Sequence, residues 1–147
     1  MAGEVLVIGA RPEAVAQVRH EVVRLARMMP FTQEQIEDIE IAIGEAVSNA
    51  VIHGSPAGDC CEVTIRCECL TDRFVVRISD EGCGFDPSAL SCATPSSLVE
   101  AGRGLHVMRS LMDEVDFTFH SGTTVQMVKL LEIERSKGDF AAPNLSH

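Results

Sequence analysis

The chain has 147 residues and a formal net charge of −10, because 22 acidic side chains stand against 12 basic ones. This length accommodates one domain with a substantial buried core, but not two comfortable domains. The hydrophobic fraction of 46% and the charged fraction of 23% are typical of a globular protein rather than a disordered or fibrous chain. The acidic balance disfavours nucleic acid or an anionic membrane surface as a partner, whereas it is compatible with a basic protein.

No segment approaches the roughly 18 apolar residues of a membrane helix, and the first residues lack the basic region of a signal peptide. We therefore expect a cytoplasmic protein whose six cysteines are thiols. Cys60, Cys61, Cys67 and Cys69 could suggest a zinc site, but the CxxC pairs and histidine partners of a closed site are missing. Strand alternation instead places Cys67 and Cys69 on an apolar face, which predicts core packing.

Apolar periodicity and turn residues divide the chain into short helices and strands. In chain order, the pattern predicts a strand over residues 5–8, a helix from Pro12 to near Pro30, a helix over residues 33–53, strands over 62–70 and 74–80 joined by Thr71-Asp72, a loop over 81–103, a helix over 105–112, and strands over 115–119 and 123–133. The second helix should begin with a capping box of Thr32 and Gln35 and stop at Gly54-Ser55-Pro56. We expect residues 1–135 to form one domain and residues 136–147 to form a flexible C-terminal tail.

This order of elements predicts an α+β fold. One strand and two helices are followed by hairpins, so we expect a two-layer sandwich in which helices cover one face of a mostly antiparallel sheet. Only the strand of the first strand–helix unit could run parallel to its neighbour in the sheet. A loop of about twenty residues is unusually long for a compact domain and is typical of a functional lid, here over about residues 82–103.

The second predicted helix carries an apolar stripe and a polar stripe. At about 100° per residue, Glu45, Asn49 and His53 fall roughly opposite the apolar residues, with Asp38 and Ala42 close to them. Such a stripe is commonly just the solvated face of a helix, and a histidine at this position can simply cap the helix C-terminus. Here Ala, Val and Ile surround the polar residues, which favours a functional role. The apolar stripe comprises Ile36, Ile39, Ile43, Val47 and Ala50.

Three further segments combine glycine with groups that can bind a nucleotide. In Asp80-x-Gly82-x-Gly84, Asp80 continues the inward face of its strand, and a buried carboxylate there could accept a hydrogen bond from the amino group of adenine. Gly102-Arg103-Gly104-Leu105 opens a helix after the long loop, where free N–H groups suit a polyphosphate. Gly122-Thr123-Thr124 leads the last strand. Each segment alone is a weak signal.

Together these segments resemble the nucleotide-binding motifs of the GHKL (histidine kinase-like) ATPases. Residues 45–54 (EAVSNAVIHG) resemble the N box, residues 80–84 (DEGCG) the G1 box, residues 102–105 (GRGL) the G2 box and residues 122–124 (GTT) the closing motif. The order and spacing match over nearly the whole chain. Within the superfamily, the form of the N box, the single-domain length and residues 111–115 (LMDEV) resemble the bacterial anti-sigma-factor serine/threonine-protein kinases of partner-switching systems.

The resemblance implies the Bergerat-type ATP-binding fold and gives roles to two residues of the N box. Asn49 would be the ligand of a Mg²⁺ ion that bridges the ATP phosphates, in keeping with the preference of this ion for hard oxygen atoms. Glu45, one turn away, would be the general base that accepts the proton of the acceptor hydroxyl.

The resemblance also implies which residues hold ATP or ADP. Asp80 would bind the adenine amino group, supported by Thr124 directly or through water. The remaining residues belong to the glycine-rich segments: Gly82 and Gly84 would let the backbone approach the base, Gly102, Gly104 and Leu105 would offer amides to the phosphates, and Arg103 would add a cation near them.

The activity implied is phosphorylation of a serine or threonine on a STAS-domain anti-anti-sigma protein, together with binding and inhibition of an RNA polymerase sigma factor. A homodimer is expected, with the first helix and the strand over residues 5–8 as candidate surfaces. Neither nucleic acid nor membrane is expected as a direct partner.

Three alternatives to a serine/threonine-protein kinase are considered. The chain could be a nucleotide-binding regulatory module that controls a non-sigma partner without efficient phosphoryl transfer, although the intact Glu45 and Asn49 disfavour this. It could be an ATPase fragment of a histidine kinase or of a chaperone-like machine. A structural thiol or metal protein is the least favoured, because of the strand position of its cysteines.

Overall fold

The structure is a computed structural model that describes residues 2–53, 62–80, 104–118 and 122–131. Within these ranges the elements, in chain order, are β1 Ala2–Gly9, α1 Ala14–Ala26, α2 Gln33–His53, β2 Glu62–Cys69, β3 Arg73–Asp80, α3 over residues 104–111, β4 Glu114–Thr118 and β5 Thr124–Leu130. The predicted lid over 82–103 and the predicted tail over 136–147 lie outside the described residues. The domain boundary at residue 135 therefore stays a prediction.

The described strands form one sheet of five strands in the order β1-β2-β3-β5-β4. Every neighbouring pair is antiparallel, including β1 with β2. The predicted antiparallel sheet is confirmed, and β1 is not the parallel strand that the sequence left open. A tight turn joins β2 to β3, with the N–H of Leu70 donating to the carbonyl of Arg73 over 2.9 Å, as the Thr71-Asp72 pair predicted.

Helices α1 and α2 pack together on one face of the sheet, so the predicted two-layer α+β sandwich is confirmed. Alternation along β2 buries Val63, Ile65, Cys67 and Cys69 toward the helices, which confirms core packing of the two cysteines. Met108 of α3 joins the same core. The predicted apolar stripe of α2 is buried throughout: Ile36, Ile39, Ile43, Val47 and Ala50.

Two elements end earlier than the apolar pattern predicted. Helix α1 stops at Ala26 rather than near Pro30, and residues 27–29 continue as a turn whose later N–H groups bond three residues back. Proline disfavours helical geometry in the residue before it, so the helix does not continue through Met29 to Pro30. Strand β5 stops at Leu130, because the N–H of Leu131 donates to the carbonyl of Asp72 over 2.9 Å, in the β2–β3 turn.

The start of α2 is fixed at one end of the sheet. The predicted capping box is present: the Thr32 N–H donates to Gln35 Oε1 over 3.0 Å, and the Gln35 N–H donates to Thr32 Oγ1 over 3.1 Å. Gln35 also donates to the carbonyl of Leu130 over 3.3 Å, at the end of β5. The ring of Phe31 packs edge-on against Phe74 at the start of β3, with centroids 6.5 Å apart. The later turns of α2 are therefore directed toward the end of the sheet where β3 finishes.

None of the helices in the described ranges is long and apolar enough to cross a membrane. Over the same part of the chain, no three His, Cys, Asp or Glu side chains are grouped so that they could hold a metal ion by themselves.

Candidate nucleotide site

The N-terminus of α3 lies against the polar stripe of α2. Gly104, the first described residue of α3, is buried. A methyl group added to its Cα would lie 3.0 Å from Asn49 Nδ2 and 3.2 Å from Glu45 Oε2. The lack of a side chain at Gly104 thus lets the helix backbone approach both polar side chains closely. Glu45 and Asn49 are partly buried on successive turns of α2.

Helix α3 runs antiparallel to α2 along this polar stripe. Its N-terminus meets Glu45, and the carbonyl of Leu111 near its other end accepts a hydrogen bond from Lys129 Nζ. The same Nζ donates to Asp38 Oδ2 over 3.2 Å, and Asp38 lies about two turns before Glu45 on α2. Between these two contacts the stripe carries Ala42, a small and fully buried residue.

Asp80 ends β3 on the sheet face that packs against the helices. It is 7% exposed. Its N–H donates to the carbonyl of Thr123 over 2.9 Å, and its Oδ1 accepts the N–H of Thr123 over 3.3 Å. These bonds hold the carboxylate in a defined orientation. A buried carboxylate held in this way can accept a charge-assisted hydrogen bond from the amino group of a ligand.

Thr124 lies on the opposite side of the sheet from Asp80. Its hydroxyl is 2.9 Å from Ser79 Oγ, and Ser79 is its register partner in β3. Of this segment, the backbone of Thr123 makes the contact with Asp80, and the support of adenine binding by Thr124 stays a prediction. Strand alternation predicts the face on which Thr124 lies, because Val125 is buried toward the helices and successive side chains point to opposite faces.

Leu105 is partly buried. It is the second described residue of α3, so its N–H lies in the same helical turn as the N–H of Gly104. The side chain of His53 lies outside the described part of the chain. So do the other predicted nucleotide-binding residues, which are Gly82, Gly84, Gly102 and Arg103.

The groups around Gly104 fit a metal-bound phosphate. Amides at a helix N-terminus carry a partial positive charge and bind anions. The side-chain oxygen of Asn49 is a hard ligand of the kind that Mg²⁺ accepts beside phosphate and water oxygens. A carboxylate at Glu45 could accept a proton from a hydroxyl held next to that phosphate. This set of groups suits binding of a nucleoside polyphosphate and transfer of its terminal phosphoryl group.

Reasoning from the sequence did not identify Lys129 as a buried cation. It extends the inward-facing row of Val125 and Met127 on β5, so alternation alone placed it inside. Its charge argues for an exposed position, since lysine is almost never fully buried unless paired. Only the tertiary structure reveals that Asp38 of α2 supplies the paired charge.

The sequence matches the profile of the histidine kinase-like ATPase domain over residues 8–129. It is 40% identical over 145 residues to a serine-protein kinase RsbW of Bacillus subtilis (strain 168), covering 93% of this chain and 91% of that protein. A serine-protein kinase RsbW of Bacillus cereus (strain G9842) is 34% identical over 140 residues, covering 90% of this chain and 87% of that protein.

Solved structures share the fold at low sequence identity. The RsbU and RsbW domains of a Mycobacterium tuberculosis protein align with a TM-score of 0.63 at 22% identity, over 88% of this chain, which spans 33% of that structure's length. A histidine kinase domain from an Erythrobacter litoralis blue-light activated kinase aligns with a TM-score of 0.53 at 15% identity, over 85% of this chain and 62% of that one. The domain profile and the identity over nearly the full length therefore place this chain in the histidine kinase-like ATPase family, among the serine-protein kinases related to RsbW.

Proposed function

We propose that this chain is a Mg-ATP-dependent kinase that phosphorylates a serine or threonine of a STAS-domain anti-anti-sigma protein and also binds and inhibits an RNA polymerase sigma factor. Membership of the histidine kinase-like ATPase family already implies binding of ATP or ADP. The observation that carries the proposed phosphoryl transfer is the convergence of Glu45 and Asn49 on the N-terminus of α3 at Gly104.

Glu45 is proposed as the general base. Its carboxylate approaches the N-terminus of α3, where phosphate is expected to bind, so a hydroxyl held beside that phosphate would lie within reach of the carboxylate. Accepting the hydroxyl proton as the γ-phosphoryl group transfers would leave Glu45 protonated and the acceptor esterified. Proton transfer of this kind contributes about 10²–10⁴-fold to a rate.

Asn49 and α3 are proposed to hold the phosphates. The Asn49 side-chain oxygen would be a ligand of Mg²⁺, and the N–H groups at Gly104 and Leu105 would donate to phosphate oxygens. When bound, Mg²⁺ would neutralise charge on the phosphate oxygens. The donors lie at the end of a helix and on an adjacent helix, so they need little reorganisation when charge develops.

Asp80 is proposed to fix the adenine. Its carboxylate is buried and oriented by Thr123, and an exocyclic amino group would supply the donor that such a carboxylate favours. Gly82 and Gly84 would let the backbone approach the base. Gly102 would offer an amide to the phosphates and Arg103 would add a cation near them, with residues of about 82–103 as the ATP lid. Thr124 would act only indirectly, since its hydroxyl is on the other face.

The partners are proposed from the kinship with RsbW kinases. The sequence has a formal net charge of −10, which supports association with a basic sigma factor through electrostatic steering. A second copy of this chain is proposed at β1, an edge strand whose Val5 and Val7 are 53% and 55% exposed. The cytoplasm is the proposed location, where ATP and a sigma factor would both be available.

The experiment that tests the function is a labelling reaction. Purified protein is incubated with γ-labelled Mg-ATP and cytosolic extract of its source, beside an Asn49→Ala control. One small labelled protein that is absent from the control is expected. If wild type binds ATP but no protein is labelled, the kinase proposal fails and the nucleotide-gated binding module takes its place.

A further inference from the structure

Lys129 places a positive charge inside the interface between the sheet and the helices. It is 3% exposed, and its Nζ donates both to Asp38 Oδ2 on α2, over 3.2 Å, and to the carbonyl of Leu111 on α3. Removing an ammonium group from water costs several kcal/mol unless an opposite charge and hydrogen bonds compensate. Here one compensating group comes from each of the two helices that form the candidate site.

The contact with Leu111 is part of a wider attachment of α3 to β5. Carbonyls in the last turn of a helix have no partner within it, and a cation there interacts favourably with the helix dipole. Just beyond α3, the Asp113 N–H donates to the carbonyl of Val128 over 2.9 Å. The N–H of Leu130 donates to Asp113 Oδ2 over 2.7 Å. The C-terminal end of α3 is thus bound to β5 and, through Lys129, to α2.

Helix α3 connects this attachment to the candidate site. About 10 Å of helix separates Leu111 from Gly104. At the Gly104 end the clearance is small, since an added methyl group would lie 3.0 Å from Asn49 and 3.2 Å from Glu45. A helix transmits axial displacement, so the position of its N-terminus against α2 depends on how its C-terminus is held.

We infer that Lys129 and Asp38 are positioning residues whose ion pair fixes α3 along α2 and so holds the N-terminal amides of α3 in place for the phosphates of ATP. The inference rests on the proposed function in taking ATP as the ligand. Removing the ammonium group leaves α3 docked for only a fraction of the time. The apparent affinity for ATP is then reduced in proportion to the fraction of molecules in which α3 is docked.

The test compares wild type with Lys129→Met, Asp38→Asn and the double variant. Methionine keeps an unbranched apolar side chain but removes the charge. ATP affinity in the presence of Mg²⁺ is measured by calorimetry, at a temperature where circular dichroism shows every protein folded. Each single variant is expected to bind ATP about tenfold more weakly, and the double variant about as weakly as the singles, because the two residues act as one pair.

Val22→Ala is the matched control for a general loss of stability. Val22 is fully buried on α1, which carries neither member of the ion pair, and its truncation creates a core cavity. Its ATP affinity is expected to equal that of wild type. If Lys129→Met does not fold, Asp38→Asn carries the same comparison, since the Asp38 side chain is 27% exposed.

Amide hydrogen exchange gives a second readout that does not depend on the ligand. Exchange should accelerate in residues 104–113 of Lys129→Met and stay as in wild type in α1. Wild-type ATP affinity together with wild-type protection of α3 would overturn the inference, as would equal weakening of ATP binding by Val22→Ala. A wild-type protein that binds no ATP would overturn the proposed function instead, and exchange in α3 would then decide the anchoring by itself.

Discussion

At the scale of single residues, the candidate site depends on one position without a side chain and on three positions with side-chain oxygen atoms. Gly104 adopts no left-handed backbone geometry, so its value lies in the close approach that it permits to Glu45 and Asn49. Asp80 contributes at the end of β3 through a carboxylate whose orientation is set by the backbone of Thr123. A substitution at Gly104 or Asp80 should therefore weaken ligand binding without an equal loss of protein stability.

Gly104→Ala should weaken Mg-ATP binding by about tenfold while the protein stays folded. The added methyl group would lie 3.0 Å from Asn49 Nδ2 and 3.2 Å from Glu45 Oε2, so both flexible side chains must shift away from the start of α3. Calorimetric titration with ATP and thermal unfolding measure the two effects. The exposed His106→Ala on the same helix is the control and should bind ATP as wild type does. Unchanged binding by Gly104→Ala would remove the α2–α3 contact from the site.

Asp80→Asn should bind ATP about ten- to a hundredfold more weakly, because a charge-assisted hydrogen bond contributes roughly 1.5–3 kcal/mol. The asparagine oxygen can still accept the N–H of Thr123, so thermal stability should change little. Asp116→Asn on the exposed side of β4 is the matched control. Wild-type affinity in Asp80→Asn would exclude this carboxylate from the adenine pocket.

At the scale of elements, α2 carries Glu45 and Asn49 of the candidate site. The contacts at the N-terminus of α2 fix the position of the helix, and thereby of these two residues, relative to the sheet. The reciprocal bonds of Thr32 and Gln35 begin the helix, and Gln35 ties that end to Leu130 of β5. Antiparallel α3 then spans the polar stripe between Asp38 and Glu45. Both helices are therefore positioned by polar contacts at their ends and by apolar packing along their length.

Thr32→Ala should lower the free energy of unfolding by about 1 kcal/mol, because it removes an N-cap hydroxyl that satisfies one helix N–H group. Thr32→Ser keeps the hydroxyl and should restore most of that loss. Urea denaturation followed by circular dichroism measures both variants. Equal stability of Thr32→Ala and wild type would mean that the capping bond contributes nothing in solution.

At the scale of the whole molecule, the core joins both layers of the sandwich and encloses thiol groups. Cys67 is 2% exposed on the helix-facing side of β2. Burial, followed by the neighbouring Cys69 and Glu4, raises the pKa of the Cys67 thiol from 9.0 to about 12. In the unfolded chain this thiol titrates near its ordinary value.

Stability should therefore fall as the pH rises from about 9 toward about 12. Below this range both states hold the thiol proton; within it the unfolded chain loses the proton and the folded chain keeps it. The contribution of Cys67 to the free energy of unfolding then declines by about 1.4 kcal/mol per pH unit. Urea titrations under reducing conditions at pH 8 and pH 10 measure the decline, which should be smaller in Cys67→Ala. Equal declines in both proteins would show that this thiol is accessible in the folded state.

Local rules predicted the elements and the placement of single residues along them. The α2 apolar stripe, the capping box at Thr32 and the inward position of Asp80 all follow from periodicity of 3.6 or 2 residues. The sequence did not predict that β1 pairs antiparallel with β2, because the partner of a strand depends on the path of the chain. It also did not pair Lys129 with Asp38, since 91 residues separate them and no local pattern connects them.

The measurement that tests the central claim most directly is transfer of the γ-phosphoryl group by Glu45→Gln to the acceptor protein identified by labelling. Single-turnover transfer and Mg-ATP affinity are measured side by side with wild type. If Glu45 accepts the hydroxyl proton, affinity stays within about twofold of wild type while the transfer rate falls by about 10²–10⁴-fold. A wild-type transfer rate would contradict the role of Glu45, and an equal loss of binding and transfer would make it a structural or metal-site residue instead.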